Sequence, residues 1–296
     1  MPQQSIGWVG TGVMGRSMCS HIIKAGYPVF VHTRTREKAA ALETSGAFWC
    51  DVPMEVAASS DIVFTMLGYP EEVEEVYFSQ NGIINNARQG SILVDMSTSR
   101  PSLARKIAEA AQSRGCHALD APVSGGDIGA REATLAIMVG GEKDAFDNVL
   151  HLFHIMGKNI SLMGGPGSGQ HTKMSNQILI ASTMVGVVES LLYAHRAGLN
   201  QEALIDLIST GAAGSWSLNN LGRRIIKGNF DPGFFIKHFI KDMGIALDEA
   251  RRMKLSLPGL ALASQFYTAA SAQGYDELGT QGLYKVFEKL NDISHP

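Results

Sequence analysis

The stretch Ile6-Gly7-Trp8-Val9-Gly10-Thr11-Gly12-Val13-Met14-Gly15 decides the fold. An apolar run, Ile6–Val9, reads as a strand, and the GxGxxG sequence that follows opens a helix-like segment, 13–25. In that setting each glycine has a task. Gly10 permits a tight turn, Gly12 lets a pyrophosphate approach the backbone, and Gly15 lets helix and strand pack closely. Thr11, Val13 and Met14 complete the loop. The helix start supplies N–H donors to an anion. With 32 glycines in the chain the pattern alone is weak, and the alternative is a structural turn with no ligand; the strand before it and the helix after it give it weight.

Working outward, further apolar runs stand at 29–31, 62–66 and 92–94, separated by amphipathic stretches at 35–42, 71–78 and 102–113. Continuous apolar runs of this length suit strands buried on both faces of a parallel sheet. Gly26, Gly46, Gly90 and Gly115 close the helical stretches. Strands are also expected at 116–119 and 135–139, and a helix at 144–156. Strand–helix alternation predicts a doubly wound α/β domain of the Rossmann type.

Gly164-Gly165-Pro166-Gly167-Ser168-Gly169 is the strongest punctuation in the chain. Beyond it strand signals nearly vanish, and 171–197, 201–209, 217–226, 239–252 and 260–273 read as helices. The expected organisation is a dinucleotide-binding domain over 1–164 and an all-α domain over 165–296, with a long helix joining them. The most lipid-like stretch, 174–188, is 15 residues long and contains Ser175, Asn176 and Gln177. That falls short of the roughly 20 residues a membrane span needs, so a buried helix is expected.

Composition narrows the function. Lysine and arginine number 25 against 28 acidic residues, for a net charge of −3, which leaves no basic excess to hold a nucleic acid. Cys19, Cys50 and Cys116 are too scattered for a zinc site or a disulfide framework, and reduced thiols in a cytoplasmic protein are expected. Met1 to Ser5 shows neither a basic start nor an apolar run, so no signal peptide is expected.

Three further segments carry chemistry. After the second strand the chain reads His32-Thr33-Arg34-Thr35-Arg36, without the carboxylate that would bond a ribose 2′-hydroxyl. Hydroxyls and guanidiniums suit a 2′-phosphate, so NADP is the preferred cofactor, with NAD possible; the alternative is an exposed basic helix start. Asp120-Ala121-Pro122-Val123-Ser124-Gly125-Gly126 offers a hydroxyl beside two unhindered glycine amides, a small nest for a substrate carboxylate or, equally, a plain turn. Gly169-Gln170-His171-Thr172-Lys173-Met174-Ser175-Asn176 opens the long helix, with Lys173 and Asn176 on one face. A lysine on a largely apolar helix is costly to bury unless used, and such a lysine suits general acid/base work. A snorkelling surface lysine is the alternative.

These segments together, with Lys241-Asp242, resemble the β-hydroxyacid dehydrogenases in order and spacing across essentially the whole chain. That family includes 3-hydroxyisobutyrate dehydrogenase, tartronate semialdehyde reductase and the glyoxylate/succinic semialdehyde reductases. The resemblance implies that Lys173 is the catalytic lysine and Asn176 its assistant. It implies that Ser124, Gly125 and Gly126 hold a carboxylate, that Lys241 lies near the nicotinamide, and that Thr98, Met66 and Leu67 line the cofactor cleft. The substrate implied is a small carboxylic acid bearing a hydroxyl or aldehyde, and a homodimer or homotetramer is expected. Gln177 departs from the second Asn common in the family, and Thr33 stands where NAD-dependent members carry an acidic residue. Trp216 reads either as a substrate wall or as core.

Two rivals are weighed. A 6-phosphogluconate dehydrogenase would follow its lysine with a His-Asn pair and carry a long C-terminal extension; this chain has Met174-Ser175-Asn176. A non-catalytic relative would have lost the lysine. His171 belongs to the helix start, and His151 and His154 lack a third ligand at metal spacing. The acidic run Glu71, Glu72, Glu74 and Glu75 reads as a solvated helix face.

Overall fold

The computed structural model describes residues 4–293. Nine strands form one sheet: β1 (Ile6–Val9), β2 (Val29–His32), β3 (Phe48–Trp49), β4 (Ile62–Thr65), β5 (Ile92–Asp95), β6 (His117–Asp120), β7 (Val123–Ser124), β8 (Leu135–Gly141) and β9 (Gly157–Gly164). The order is β3-β2-β1-β4-β5-β6-β8-β7, with β9 paired to β8. From β3 to β6 all pairings are parallel; β8 runs antiparallel to β6 and β7 and parallel to β9.

Side chains explain why the central strands read as unbroken apolar runs. Ile6, Trp8, Ile62, Phe64, Ile92 and Val94 enter one core. Their neighbours Val9, Val63 and Leu93 point the other way, into a second core with Val56, Leu103 and Ile107. A strand with helices on both faces has no polar side to display. This is the expected Rossmann-type arrangement.

Several elements depart from the sequence reading. The stretch 35–42 is a 3₁₀ turn, Arg36–Ala39, followed by a helix, Ala40–Thr44. A short helix, Pro53–Ser59, begins on a proline, and another, Gly126–Arg131, starts inside the Ser-Gly-Gly turn. Strands β3, β7 and β9 add to the edges of the sheet.

The chain divides into two compact units, Met1–Lys173 and Met174–Pro296. The division lies within the long helix Ser168–Arg196, later than the glycine run, and the start of that helix is bonded to the sheet unit through Asp120 and the Val123 carbonyl. That helix has 29 residues and is long and apolar enough to cross a membrane by length and composition, more than the 15-residue run suggested. Met174, Ala181, Met184, Val188 and Leu191 on it are buried in the core of the second unit, as a core helix requires. The second unit is helical, with the helices Gln201–Ile208, Ile236–Arg252, Pro258–Ala272 and Leu283–Leu290. The stretch 217–226 is a π-helical turn, Ser217–Gly222, running into Arg223–Ile226.

Candidate active site

Strand register brings the motifs of the first unit to one edge. Val9 pairs with His32 and with Thr65, Thr65 with Asp95, and Asp95 with Asp120. The segments that follow these residues therefore leave the sheet side by side at its C-terminal edge: Gly10–Gly15, Thr33–Arg34, Met66–Leu67, Met96–Thr98 and Ala121–Gly126. The strand order reverses direction between β1 and β4, which is where doubly wound sheets bind ligands.

At that point the glycines fit a dinucleotide. Gly10 has φ +98°, and a Cβ there would lie 2.3 Å from the Met66 carbonyl oxygen. A Cβ on Gly15 would lie 2.1 Å from the Gly10 oxygen, so helix and turn close only on glycine. Gly12 is different: nothing lies within 4 Å of a Cβ built on it, which leaves open the approach that a pyrophosphate would take. Beside it the Thr11 hydroxyl is buried with no hydrogen-bond partner among the described residues. A buried orphan hydroxyl at a helix N-terminus suits an anionic group that brings its own acceptors. The residues present fit a nicotinamide dinucleotide.

The arginines after β2 are already engaged. Arg34, whose side chain is 84 % exposed, pairs with Glu72 at 2.7 Å. The other oxygen of Glu72 accepts the Gly68 N–H at 3.0 Å, just ahead of the helix Pro70–Phe78. Arg36 pairs with Glu43 at 2.9 Å and lies 5.0 Å over the Trp49 ring. The Glu43 hydrogen bond raises the Arg36 pKa. The acidic run is thus not merely solvated: Glu71, Glu72 and Glu74 pair with Arg100, Arg34 and Lys106.

At the far side of the same edge, Lys173 is buried and its Nζ donates to the Val123 carbonyl at 2.9 Å. Val123 immediately precedes Ser124, Gly125 and Gly126. Gly125 and Gly126 adopt positive φ, +134° and +63°, backbone that favours glycine, and the helix Gly126–Arg131 starts there. The buried carboxylate of Asp120 accepts N–H bonds from Gly167 at 2.7 Å and Gln170 at 2.8 Å, fixing the start of the long helix. Burial pushes the Asp120 carboxyl up to about 6, against the pull of those two bonds.

In the second unit, Asn176 Nδ2 donates to Gln177 Oε1 at 2.8 Å, and Gln177 Nε2 donates to Asp242 Oδ2 at 2.6 Å. Lys241 Nζ stands 3.0 Å from Asp242 Oδ1. The extra methylene of Gln177 therefore has a use, reaching a buried carboxylate to which sequence reasoning gave no role. Trp216 is 61 % exposed, so it is not a core residue of this unit. Among the described residues no His, Cys, Asp and Glu group could hold a metal ion.

Comparisons with known proteins agree with this geometry. Residues 5–165 match the family profile for the NAD-binding domain of 6-phosphogluconate dehydrogenase. Residues 167–287 match the profile described as NAD-binding of NADP-dependent 3-hydroxyisobutyrate dehydrogenase. The chain is 53 % identical to a probable 3-hydroxyisobutyrate dehydrogenase-like protein of Arabidopsis thaliana, over 98 % of this chain and 86 % of that one. It is 38 % identical to the 2-hydroxy-3-oxopropionate reductase of Escherichia coli, over 96 % of this chain and 97 % of that one. The solved structure of Mycobacterium tuberculosis 3-hydroxyisobutyrate dehydrogenase with L-serine superposes with a TM-score of 0.88 at 28 % identity, covering 96 % and 99 % of the two chains. A dinucleotide cradle at the switch point, a helical second unit and relatives matched along nearly their whole length place this chain in the β-hydroxyacid dehydrogenase family of NAD(P)-dependent oxidoreductases.

Proposed function

We propose that the chain interconverts a small β-hydroxy acid, or the corresponding semialdehyde carboxylate, with Lys173 as general acid/base and NADP as the preferred cofactor. One observation carries this reading: the buried Lys173 Nζ donates to the carbonyl of Val123, the residue before the Ser124-Gly125-Gly126 turn. A proton-transfer group and a carboxylate-binding turn are thereby held next to each other on one unit. A nicotinamide held at the glycine turn would supply the hydride chemistry at the carbinol carbon. In the oxidising direction a neutral Lys173 takes the proton from the hydroxyl oxygen; in the reducing direction the ammonium returns it. Ser124 and the amides of Gly125 and Gly126 hold the carboxylate, which fixes the reacting carbon relative to Lys173. The resemblance gives Asn176 as the assistant of Lys173 and Lys241 as the lysine near the nicotinamide, and the exposed Trp216 is available as a substrate wall. The relative solved with L-serine, itself a small β-hydroxy carboxylate, supports this substrate class. A panel of short hydroxy acids and semialdehydes assayed with NADPH and NADH side by side tests the reading. No turnover with any three- to five-carbon member would sink it. Exposed Leu179 and Tyr193 on the long helix support the expected homo-oligomer, which light scattering of the purified protein checks.

Two substitutions probe the site. Ser124→Ala removes one hydrogen bond to a charged carboxylate and should lower kcat/KM by about 10–150-fold, equivalent to ~1.5–3 kcal/mol. Methyl esters should be poor substrates and far less sensitive to the change; equal sensitivity would move the carboxylate site elsewhere. Glu72→Gln keeps an acceptor for the Gly68 N–H but removes the charge that competes for Arg34. An exposed ion pair is worth at most about 1 kcal/mol, so NADPH affinity should rise by no more than about fivefold. A fall in affinity on titration would mean that Glu72 orients Arg34 for the phosphate instead.

A further inference from the structure

Gln170 takes no part in the chemistry proposed above, yet every polar atom of it that the fold can use is committed. Its side chain is fully buried. Its Nε2 donates to the Ser97 carbonyl at 2.8 Å, and its Oε1 accepts the Ser99 N–H at 2.9 Å. The two bonds straddle Thr98, the residue on the β5 loop that the resemblance places against the cofactor. Its own N–H is held by Asp120. One turn further along the same helix stands Lys173.

The clamp is part of a longer buried chain. Ser97 N–H donates to Asp95 Oδ1, which also accepts the Thr65 hydroxyl at 2.8 Å, and Thr65 contacts the Tyr77 hydroxyl at 3.2 Å. Ser97 Oγ accepts the Leu67 N–H at 2.9 Å. The loops after β4 and β5 and the end of β6 are thus tied to the first turn of the long helix through side chains that are buried. A buried network of this kind favours one geometry, because a slip leaves its paired groups without partners in a low-dielectric interior.

We infer that Gln170 is a positioning residue, clamping the Thr98 backbone to the helix turn that carries Lys173 and so fixing the distance between the cofactor-lining loop and the acid/base. The inference rests on the proposed roles of Lys173 and Thr98. A misplacement of about 1 Å far from the chemistry can cost on the order of 100-fold in rate, which is ample for such a clamp to matter.

Two substitutions and one measurement on the wild type test it. Gln170→Leu fills similar space without either hydrogen bond, and kcat should fall about 10–100-fold with a several-fold rise in NADPH Kd, read by nucleotide fluorescence. Gln170→Glu keeps the acceptor for Ser99 N–H, but only its protonated carboxyl can also donate to the Ser97 carbonyl. Burial, the Asp120 carboxylate on its own N–H and Asp95 beyond Ser97 all favour that protonated form, while Lys173 one turn away opposes it. Activity of Gln170→Glu, relative to wild type at each pH, should therefore recover as the pH falls from 8 to about 6.5, above the midpoint at which Asp120 itself takes up a proton, whereas Gln170→Leu should show no recovery. A Glu variant whose ratio to wild type is flat across that range overturns the clamp. So does a Leu variant with wild-type kcat and Kd. Should either variant fail to fold, hydrogen exchange of the Ser99 amide in the wild type decides: protection like that of strand amides supports the clamp, and exchange at the rate of an exposed loop overturns it. Were Lys173→Ala to stay active, the underlying reading would fail; an inert Lys173→Ala beside a fully active Gln170→Leu would remove the clamp alone.

Discussion

Lys173→Ala should lose about 10²–10⁴-fold in kcat while binding NADPH nearly as the wild type does, the loss a positioned general acid/base contributes. The separation is the informative part. The fingerprint proposed to receive the dinucleotide is Gly10–Gly15, in the turn after β1, and the arginines follow β2; the lysine's bond to Val123 lies in neither segment. The substitution also removes a buried hydrogen bond to Val123. A moderate fall in melting temperature is expected from the unpaired carbonyl, about 1–3 kcal/mol of stability, far too little to unfold a chain of this size at assay temperature. Because the interaction acts in the transition state, kcat and kcat/KM should fall together. Retention of more than about a third of wild-type kcat, well above that expected loss, would show that another group moves the proton.

Much of this site was legible because its constraints are local. A GxGxxG turn states its own backbone requirements within six residues, and the positive φ of Gly10 and the contact of Gly15 with Gly10 meet them. The central strands announced themselves because both of their faces are covered. The edges were illegible for the opposite reason. Strand β9, Gly157–Gly164, pairs with β8 and exposes Lys158, Asn159 and Ser161, so no long apolar run marks it. The helix Gly126–Arg131 begins on residues that read as a turn. Long-range polar partners were the other blind spot. Gln170 and Ser97 are 73 positions apart, and nothing in a glycine-rich GSGQ segment distinguishes a buried clamp from loop filler. Asp242 stood beside a lysine that was noticed, but its pairing with Gln177 across 65 positions appears only once the helices pack. Arg34 and Arg36 were read from type alone, and it took the fold to show that each already has a carboxylate.

That last point sharpens the expectation for cofactor choice. Arg34 is exposed and holds Glu72 through an ion pair of the kind that contributes little in water, so a phosphate can take the guanidinium in exchange at small cost. Arg36 has more to lose, with Glu43 on one side and the Trp49 ring beneath it. Arg34 should therefore carry most of the discrimination. A charge-assisted bond from arginine to phosphate is worth about 1.5–3 kcal/mol, or roughly 10–150-fold in affinity. NADPH should accordingly exceed NADH in kcat/KM by at least about tenfold. Thr33 directly follows β2, where a carboxylate would accept the ribose 2′-hydroxyl and repel a 2′-phosphate. Thr33→Asp combined with Arg34→Ser should reverse the preference, since it removes the attraction and adds a repulsion at the same group. Arg36→Ala alone should change the ratio by less than Arg34→Ser alone. Wild-type ratios near one, unmoved by the double substitution, would mean that both arginines serve only their carboxylate partners. The dehydrogenase reading would then stand on Lys173 and the glycine turn, with the 2′-phosphate left unrecognised.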